Sequence, residues 1–172
     1  MEFKSKYTVG KNLYLTFFSN PNKEKLKIID KSNNIIIFNS NYILNAFHVQ
    51  MAVNKGFYNI KLGKTKSKEF KKEIIHCSTN ENKLTNSLKI HNIDKNDENN
   101  YYIVFVGFNK EEINSKINEL EGKEINTKNY DNFLNFDNLV KHFQISEEKE
   151  INDIENGIER AIYNRIATKE LK

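Results

Sequence analysis

Apolar residues along this chain follow two rhythms, and their alternation lays out the elements. Short, nearly unbroken runs rich in β-branched and aromatic residues read as strands: "KNLYLTFF" over 11–18, "IIIF" over 35–38 and "YYIVFVG" over 101–107. The last is the clearest. Its apolar residues are almost continuous, so both of its faces are expected to be covered. Helical spacing marks the stretches between. "NPNKEKLKIID" offers Asn20 as a cap and Pro21, the only proline, for a first turn. In "NSNYILNAFHVQMAVNKGFYNIK", Ile43, Leu44, Phe47, Met51 and Phe57 recur at helical intervals behind Ser40 or Asn41 as cap.

"SKEFKKEIIHC" predicts a shorter helix, although "EIIHC" also suits a strand. "NKLTNSLKIHNI" predicts another, with Leu84, Leu88 and Ile90 inward and Asn92 closing it in a left-handed conformation. "NKEEINSKINEL" places Ile113, Ile117 and Leu120 on one face, and "FLNFDNLVKHFQI" is again apolar-periodic. The last element is "SEEKEINDIENGIERAIYNRIATKELK". Ser146 caps it, Glu147 and Glu148 suit the positive end of its dipole, and Arg160, Arg165 and Lys169 the negative end. Ile151, Ile154, Ile158, Ala161, Ile162 and Ile166 form one stripe along it. No repeat or linker interrupts the pattern. The expected architecture is α+β: a single compact domain over residues 1–172, with a small sheet packed with several helices and a long C-terminal amphipathic helix.

Composition adds bounds. The chain has 172 residues, of which 38% are hydrophobic, enough for a sizeable core. Asn, Lys and Ile are abundant, and their A/T-rich codons make part of that abundance a genome bias. The net charge of +4 permits contact with nucleic acid without requiring it. A single cysteine, Cys77, excludes an internal disulfide and points to a reducing compartment. The opening residues lack a signal-peptide core, and no run approaches the roughly 20 apolar residues of a membrane span. A soluble intracellular protein without membrane contact is expected.

The segment "KLGKTKSKEFKKEIIHCST" carries the most suggestive chemistry. Six lysines, Lys61, Lys64, Lys66, Lys68, Lys71 and Lys72, fall among twelve residues with Glu69 as the one acid. Its "GKT" imitates the end of a nucleotide-binding loop, but that motif needs a glycine at position 58, which is Tyr58, and it follows a strand where this segment follows a helix. The lysines read either as a solvated surface in a lysine-rich chain or as contacts to phosphates. Phe57, Tyr58 and Phe70 flank them, and cations beside aromatics suit single-stranded RNA, though the same rings suit a core.

Elsewhere the chemistry is sparse. His48, His76, His91 and His142 are scattered, and neither they nor Cys77 recur at metal-ligand spacing, so no metal and no cofactor is expected. The adjacent pair His76–Cys77 leaves an enzyme as a third reading, without a third group to orient it. Glu111–Glu112 and Glu147–Glu148 sit at helix starts, where the dipole accounts for them. The C-terminal stripe either docks on the chain's own core or is shared with a partner helix. Gly157 within it leaves room for close approach of another backbone.

At this point the sequence resembles a known family. "AFHVQMAVNKGFYNIKLGKTKSKEFKKEIIHCSTNENKLTNSLKIHNI" is similar to the signature region of the small kinase-binding subunit of the KEOPS (EKC) complex, the TPRKB family. The matching blocks are Phe47-His48 with Ala52 and Asn54-Lys55-Gly56, then Lys61-Leu62-Gly63-Lys64-Thr65-Lys66-Ser67, then Glu73-Ile74-Ile75, then Leu88-Lys89 through Ile93. "AIYNRIATKEL" resembles the family's ending, one residue short before Leu171. The resemblance spans about Ile43 to Leu171. Asn92 stands where glycine is usual, and Gly56 where alanine is, which should weaken that helix end.

The resemblance implies a protein that is not an enzyme. It implies binding and stimulation of a PRPK-type atypical kinase/ATPase, and through it association with the threonylcarbamoyl-transferase subunit. It further implies help in holding tRNA, including the 3′ CCA end, for threonylcarbamoyladenosine formation in cytoplasm and nucleus. The residues assigned to kinase contact are Ile158, Ile162 and Ile166, with Arg165 at the rim. Those assigned to tRNA are Lys61, Lys64, Lys66, Lys68 and Lys71. The rival reading is a stand-alone RNA-binding module that needs no protein partner.

Overall fold

A computed structural model of the chain describes residues 1–3, 11–93, 100–126, 134–145 and 157–169. Strand β4, Asn100–Val106, is the axis of an antiparallel sheet, flanked by β2, Leu13–Ser19, and β3, Ile35–Asn39. Two shorter strands, β1 (Glu2–Phe3) and β5 (Lys123–Ile125), pair with opposite ends of β2. The helices are α1 (Lys23–Asp30), α2 (Ala46–Leu62), α3 (Phe70–Cys77), α4 (Leu84–Ile90), α5 (Lys110–Glu119), α6 (Phe136–Phe143) and α7 (Gly157–Thr168). The α+β class expected from the sequence is the one observed.

The continuous apolar run of β4 is explained by two cores. Tyr102, Val104 and Val106 pack with Leu15, Phe17, Phe38, Val53 and Ile74 on the face covered by α2 and α3. Tyr101, Ile103 and Phe105 point the other way, toward Leu26 and Ile29 of α1 and Ile113 of α5. A third cluster joins Leu44 to Leu139 and Phe143 of α6 and to Ala161, Ile162 and Ile166 of α7. The C-terminal helix therefore docks through its stripe onto the flank of the domain.

Several local expectations change. Asn22, not Asn20, caps α1: its side chain accepts from the amides of Glu24 and Lys25 at 3.1 and 3.3 Å. Asn20 instead takes a left-handed turn with φ 52° before Pro21. Asn45, not Ser40 or Asn41, caps α2 by accepting from the His48 amide at 2.9 Å. Residues Ser40–Tyr42 form a 3₁₀ turn ahead of it, so Ile43 and Leu44 precede the helix. "EIIHC" is helical, as the tail of α3. Asn92 is not among the left-handed residues; α4 closes at His91, φ −97°, whose ring turns inward to the end of β3.

Gly56 does not merely weaken α2. A Cβ there would lie 2.5 Å from Ile74 Cγ1 and 3.0 Å from Ile74 Cα, so the glycine lets α2 and α3 approach closely. Ser146, Glu147, Glu148, Ile151, Ile154 and Leu171 lie outside the described residues, and Gly157 is the first described residue of its helix.

Candidate functional site

The basic segment begins where α2 ends. Gly63, with φ 68°, supplies the left-handed cap that a residue with a side chain would resist, and the Lys64 amide returns to Asn59 O at 3.0 Å. "GKT" is thus a helix exit, as the missing glycine at Tyr58 implied. The loop then runs to α3 and is held from below by Glu73. One carboxylate oxygen, Oε2, accepts from the amides of Lys66 and Ser67 at 2.8 and 3.1 Å. The other, Oε1, accepts from Asn59 Nδ2 at 3.0 Å. Glu73 is fully buried, and its donors satisfy a group that would otherwise be costly to desolvate.

Four of the five lysines assigned to RNA stand on this frame. Lys61, Lys64, Lys66 and Lys68 are exposed, and none forms an ion pair with a described residue. Lys71 does not belong with them. Its ammonium meets Asp30 Oδ1 at 2.6 Å together with the Asp30 and Ser32 carbonyls, and its side chain is 11% exposed. The reason is electrostatic: the last carbonyls of α1 lack helical partners, and a cation there completes them. Lys72 pairs with Glu69 at 2.6 Å. Of the flanking aromatics, Phe57 and Phe70 stack on each other at 5.8 Å and pack against the first core, whereas Tyr58 is exposed.

The start of α3 also forms one wall of a cleft of about 400 Å³ beside β3. Ile37, Ile75, Leu88 and Ile93 give it an apolar strip within a largely polar lining, to which Asp30 and Glu69 contribute beside their ion partners Lys71 and Lys72. The sheet register gives this wall a polar strip. Val106 donates to Asn34 O at 2.9 Å, so Ile36 and Phe38 carry the next bonds to β4, and Ile35, Ile37 and Asn39 turn their backbone groups to the free edge. The Ile35 amide finds Ser32 O, and the Asn39 amide finds His91 Nδ1. The Ile37 amide and carbonyl have no hydrogen-bond partner among the described residues, although Ile37 is only 2% exposed. Sequence reasoning missed this feature because it depends on strand order.

The C-terminal helix is arranged differently from the expectation. Ile162 and Ile166 are 0% and 1% exposed, locked into the third core, so they present no surface to a partner in this structure. Ile158 packs half-buried on the same cluster. Arg165 is half-buried and donates to Gln144 O at 3.0 Å. The accessible side of α7 carries Arg160, Asn164 and Ala167. Beside it the Tyr163 hydroxyl accepts from Asn45 Nδ2 at 2.7 Å, and the Tyr163 ring meets Phe47 edge-on at 5.1 Å. Phe47, one of the apolar residues recurring at helical intervals, is 53% exposed. Lys55 braces the helix end through the Ile166 and Ala167 carbonyls at 2.5 and 3.2 Å.

The histidines serve the interior. The Leu44 amide donates to His48 Nδ1 at 3.1 Å, which leaves the Nε2 proton to donate to Ser78 O at 2.9 Å. The Asn39 amide donates to His91 Nδ1 at 3.0 Å, and His91 Nε2 then donates to Ser78 Oγ at 3.0 Å. Burial lowers His48 to about 4, with a further push from His142. Burial lowers His91 to about 3, followed by the influence of His142 and His48. His76 and Cys77, neighbours in sequence, diverge. His76 turns to Ser87 Oγ at 2.9 Å, and Cys77 to Asn59 Nδ2 at 3.7 Å and Glu73 at 3.9 Å. No group of three His, Cys, Asp or Glu residues suited to a metal occurs among the described residues. No described helix is long and apolar enough to cross a membrane.

A basic loop on a rigid frame, a cleft of mixed polarity and a docked amphipathic helix define a binding protein built on an α+β scaffold. The family model for kinase binding protein CGI-121 matches residues 17–170, and the chain belongs to that family. It is a member of a kinase-binding family, which accords with the accessory role read from the sequence.

Proposed function

We propose that this chain is the non-catalytic subunit of the KEOPS/EKC complex that binds and stimulates the PRPK-type atypical kinase/ATPase. Through that kinase it joins the threonylcarbamoyl-transferase subunit, in cytoplasm and nucleus, and it helps hold tRNA during threonylcarbamoyladenosine formation. The match to the kinase-binding family over residues 17–170 carries this reading. The kinase docks on the outer side of α7, which carries Arg160, Asn164 and Ala167, and on the exposed ring of Phe47, which meets Tyr163 of α7, with Ile158 and Arg165 at the edge.

Support for tRNA comes from Lys61, exposed in the last turn of α2, and from Lys64, Lys66 and Lys68, exposed on the loop that follows, whose far end enters the wall of the β3 cleft. Lysines suit the phosphates of a single strand, and the apolar strip of the cleft, with an Ile37 amide and carbonyl that meet no partner among the described residues, suits an unstacked base of the 3′ CCA end. The test is size-exclusion chromatography with the cognate kinase. The wild type co-elutes, and a Phe47→Asp, Ala167→Asp double variant elutes alone while keeping its circular dichroism. Survival of the complex in that variant rejects this face. A wild type that binds RNA but never the kinase favours the stand-alone RNA-binding module.

A further inference from the structure

We infer that Glu73 is the positioning residue of the basic loop: its buried carboxylate fixes the path of Lys66 and Ser67 so that the lysine ammonium groups are pre-arranged for a phosphate chain. This rests on the RNA reading proposed above. Three observations carry it. First, the carboxylate serves the loop and not the start of α3: that helix has Glu69 at its cap position with no side-chain cap bond, while Glu73 Oε2 takes two loop amides at 2.8 and 3.1 Å. Second, Asn59 joins the two ends of the device. Its carbonyl takes the Lys64 amide at 3.0 Å and its side chain donates to Glu73 Oε1 at 3.0 Å, and Asn59 is itself buried. The loop is thereby tied at three amides, those of Lys64, Lys66 and Ser67. Third, two of the three tied residues, Lys64 and Lys66, are themselves exposed lysines, and a third exposed lysine, Lys68, follows the tied Ser67. None of the three has an ion partner among the described residues, so the fixed backbone aims these cations at solvent.

A carboxylate sealed from water is expensive unless every lone pair is used, and an apolar residue would fill the same position at lower cost. Its geometric return is a rigid loop. Rigidity counts in binding because ordering a loop at the moment of association subtracts from affinity.

Two measurements test the assignment. In the free wild-type protein, the Lys66 and Ser67 amides should exchange with deuterium more slowly than those of Thr65 and Lys68, which have no acceptor among the described residues. Their protection should not change when a short single-stranded RNA ending in CCA is added. Equal exchange across the loop overturns the assignment without any variant. In the second, fluorescence anisotropy with the same RNA compares Glu73→Gln and Glu73→Met across a salt series. Glu73→Gln keeps an acceptor for the loop amides and should bind within about twofold of wild type, whereas Glu73→Met should lose about tenfold. Its salt slope should fall by about 0.7 for each phosphate that the loosened lysines cease to neutralise, a change that general destabilisation does not produce. A folded Glu73→Met with wild-type affinity and slope overturns the assignment alone. If it does not fold, the exchange measurement and the Gln variant decide. A wild type that binds no RNA overturns the RNA reading and this assignment together, while its exchange pattern still reports whether Glu73 ties the loop.

Discussion

Mild acid should destabilise this protein, and two buried imidazoles lead the effect. His48 and His91 are held neutral, each accepting a backbone amide at Nδ1 and donating at Nε2 to Ser78, the first through its carbonyl and the second through its hydroxyl. Burial lowers them to about 4 and about 3. In the unfolded chain both would take up protons near pH 6.5. The sign follows: the contribution is complete above about pH 6.5 and is lost as pH falls, levelling only near the folded values. At pH 5 each unfolded imidazole has gained about one proton that the folded one refuses, a loss of about 2 kcal/mol per ring and about 4 kcal/mol for the pair. That is a large share of the roughly 5–15 kcal/mol that holds a domain of this kind together.

Carboxylates enter only below about pH 5, so the interval from 6.5 to 5 belongs to histidine. His76, lowered to about 4 first by burial, and His142, also lowered first by burial, act in the same direction. Urea unfolding followed by far-ultraviolet circular dichroism should show stability falling by about 2.5 kcal/mol per pH unit near pH 5.5 from this pair. A stability that stays level between about pH 7 and 5 would refute the reasoning, because it would mean the rings accept protons without leaving their partners.

Replacing Lys61, Lys64 and Lys66 together by Met should lower the RNA salt slope by up to about 2, whereas Lys71→Met should leave the slope unchanged and lower stability, as read by anisotropy and urea unfolding. Gly56→Ala gains about 1 kcal/mol of helix propensity but pushes a methyl group into Ile74, at a cost of about 1–3 kcal/mol. It should therefore be destabilised by about 1 kcal/mol overall, and a urea midpoint above wild type would count against the close approach of α2 and α3.

Much of the site was legible because its determinants are local. Tyr58 at the position of a required glycine excluded a nucleotide loop, and Gly63 as a helix cap is the positive reading of the same letters. Glu73-Ile74-Ile75 stood out in sequence as a block shared with the family; that the Glu73 carboxylate turns back to the Lys66 and Ser67 amides is visible only in the fold. Lys71 was indistinguishable in sequence from Lys68. What separates them is Asp30, forty-one positions away, which pairs with Lys71. The stripe of α7 was legible as apolar but ambiguous in destination: the same periodicity serves an internal core or a partner. Leu139, Phe143 and Leu44 occupy that face.

By itself, the sequence determined what depends on neighbours a few residues apart: the periods of strands and helices, the basic segment, the two covered faces of β4 and the resemblance that led to the kinase-binding family. Only the tertiary structure decided which lysines lack an ion partner among the described residues, that Phe47 faces outward, that Ile162 and Ile166 face inward, and that the Ile37 amide and carbonyl meet no partner among the described residues beside the β3 cleft. The physical reason is common to these cases. Periodicity fixes which side of an element is apolar, but exposure and pairing are set by groups distant in sequence that meet only when the sheet order and helix packing are complete.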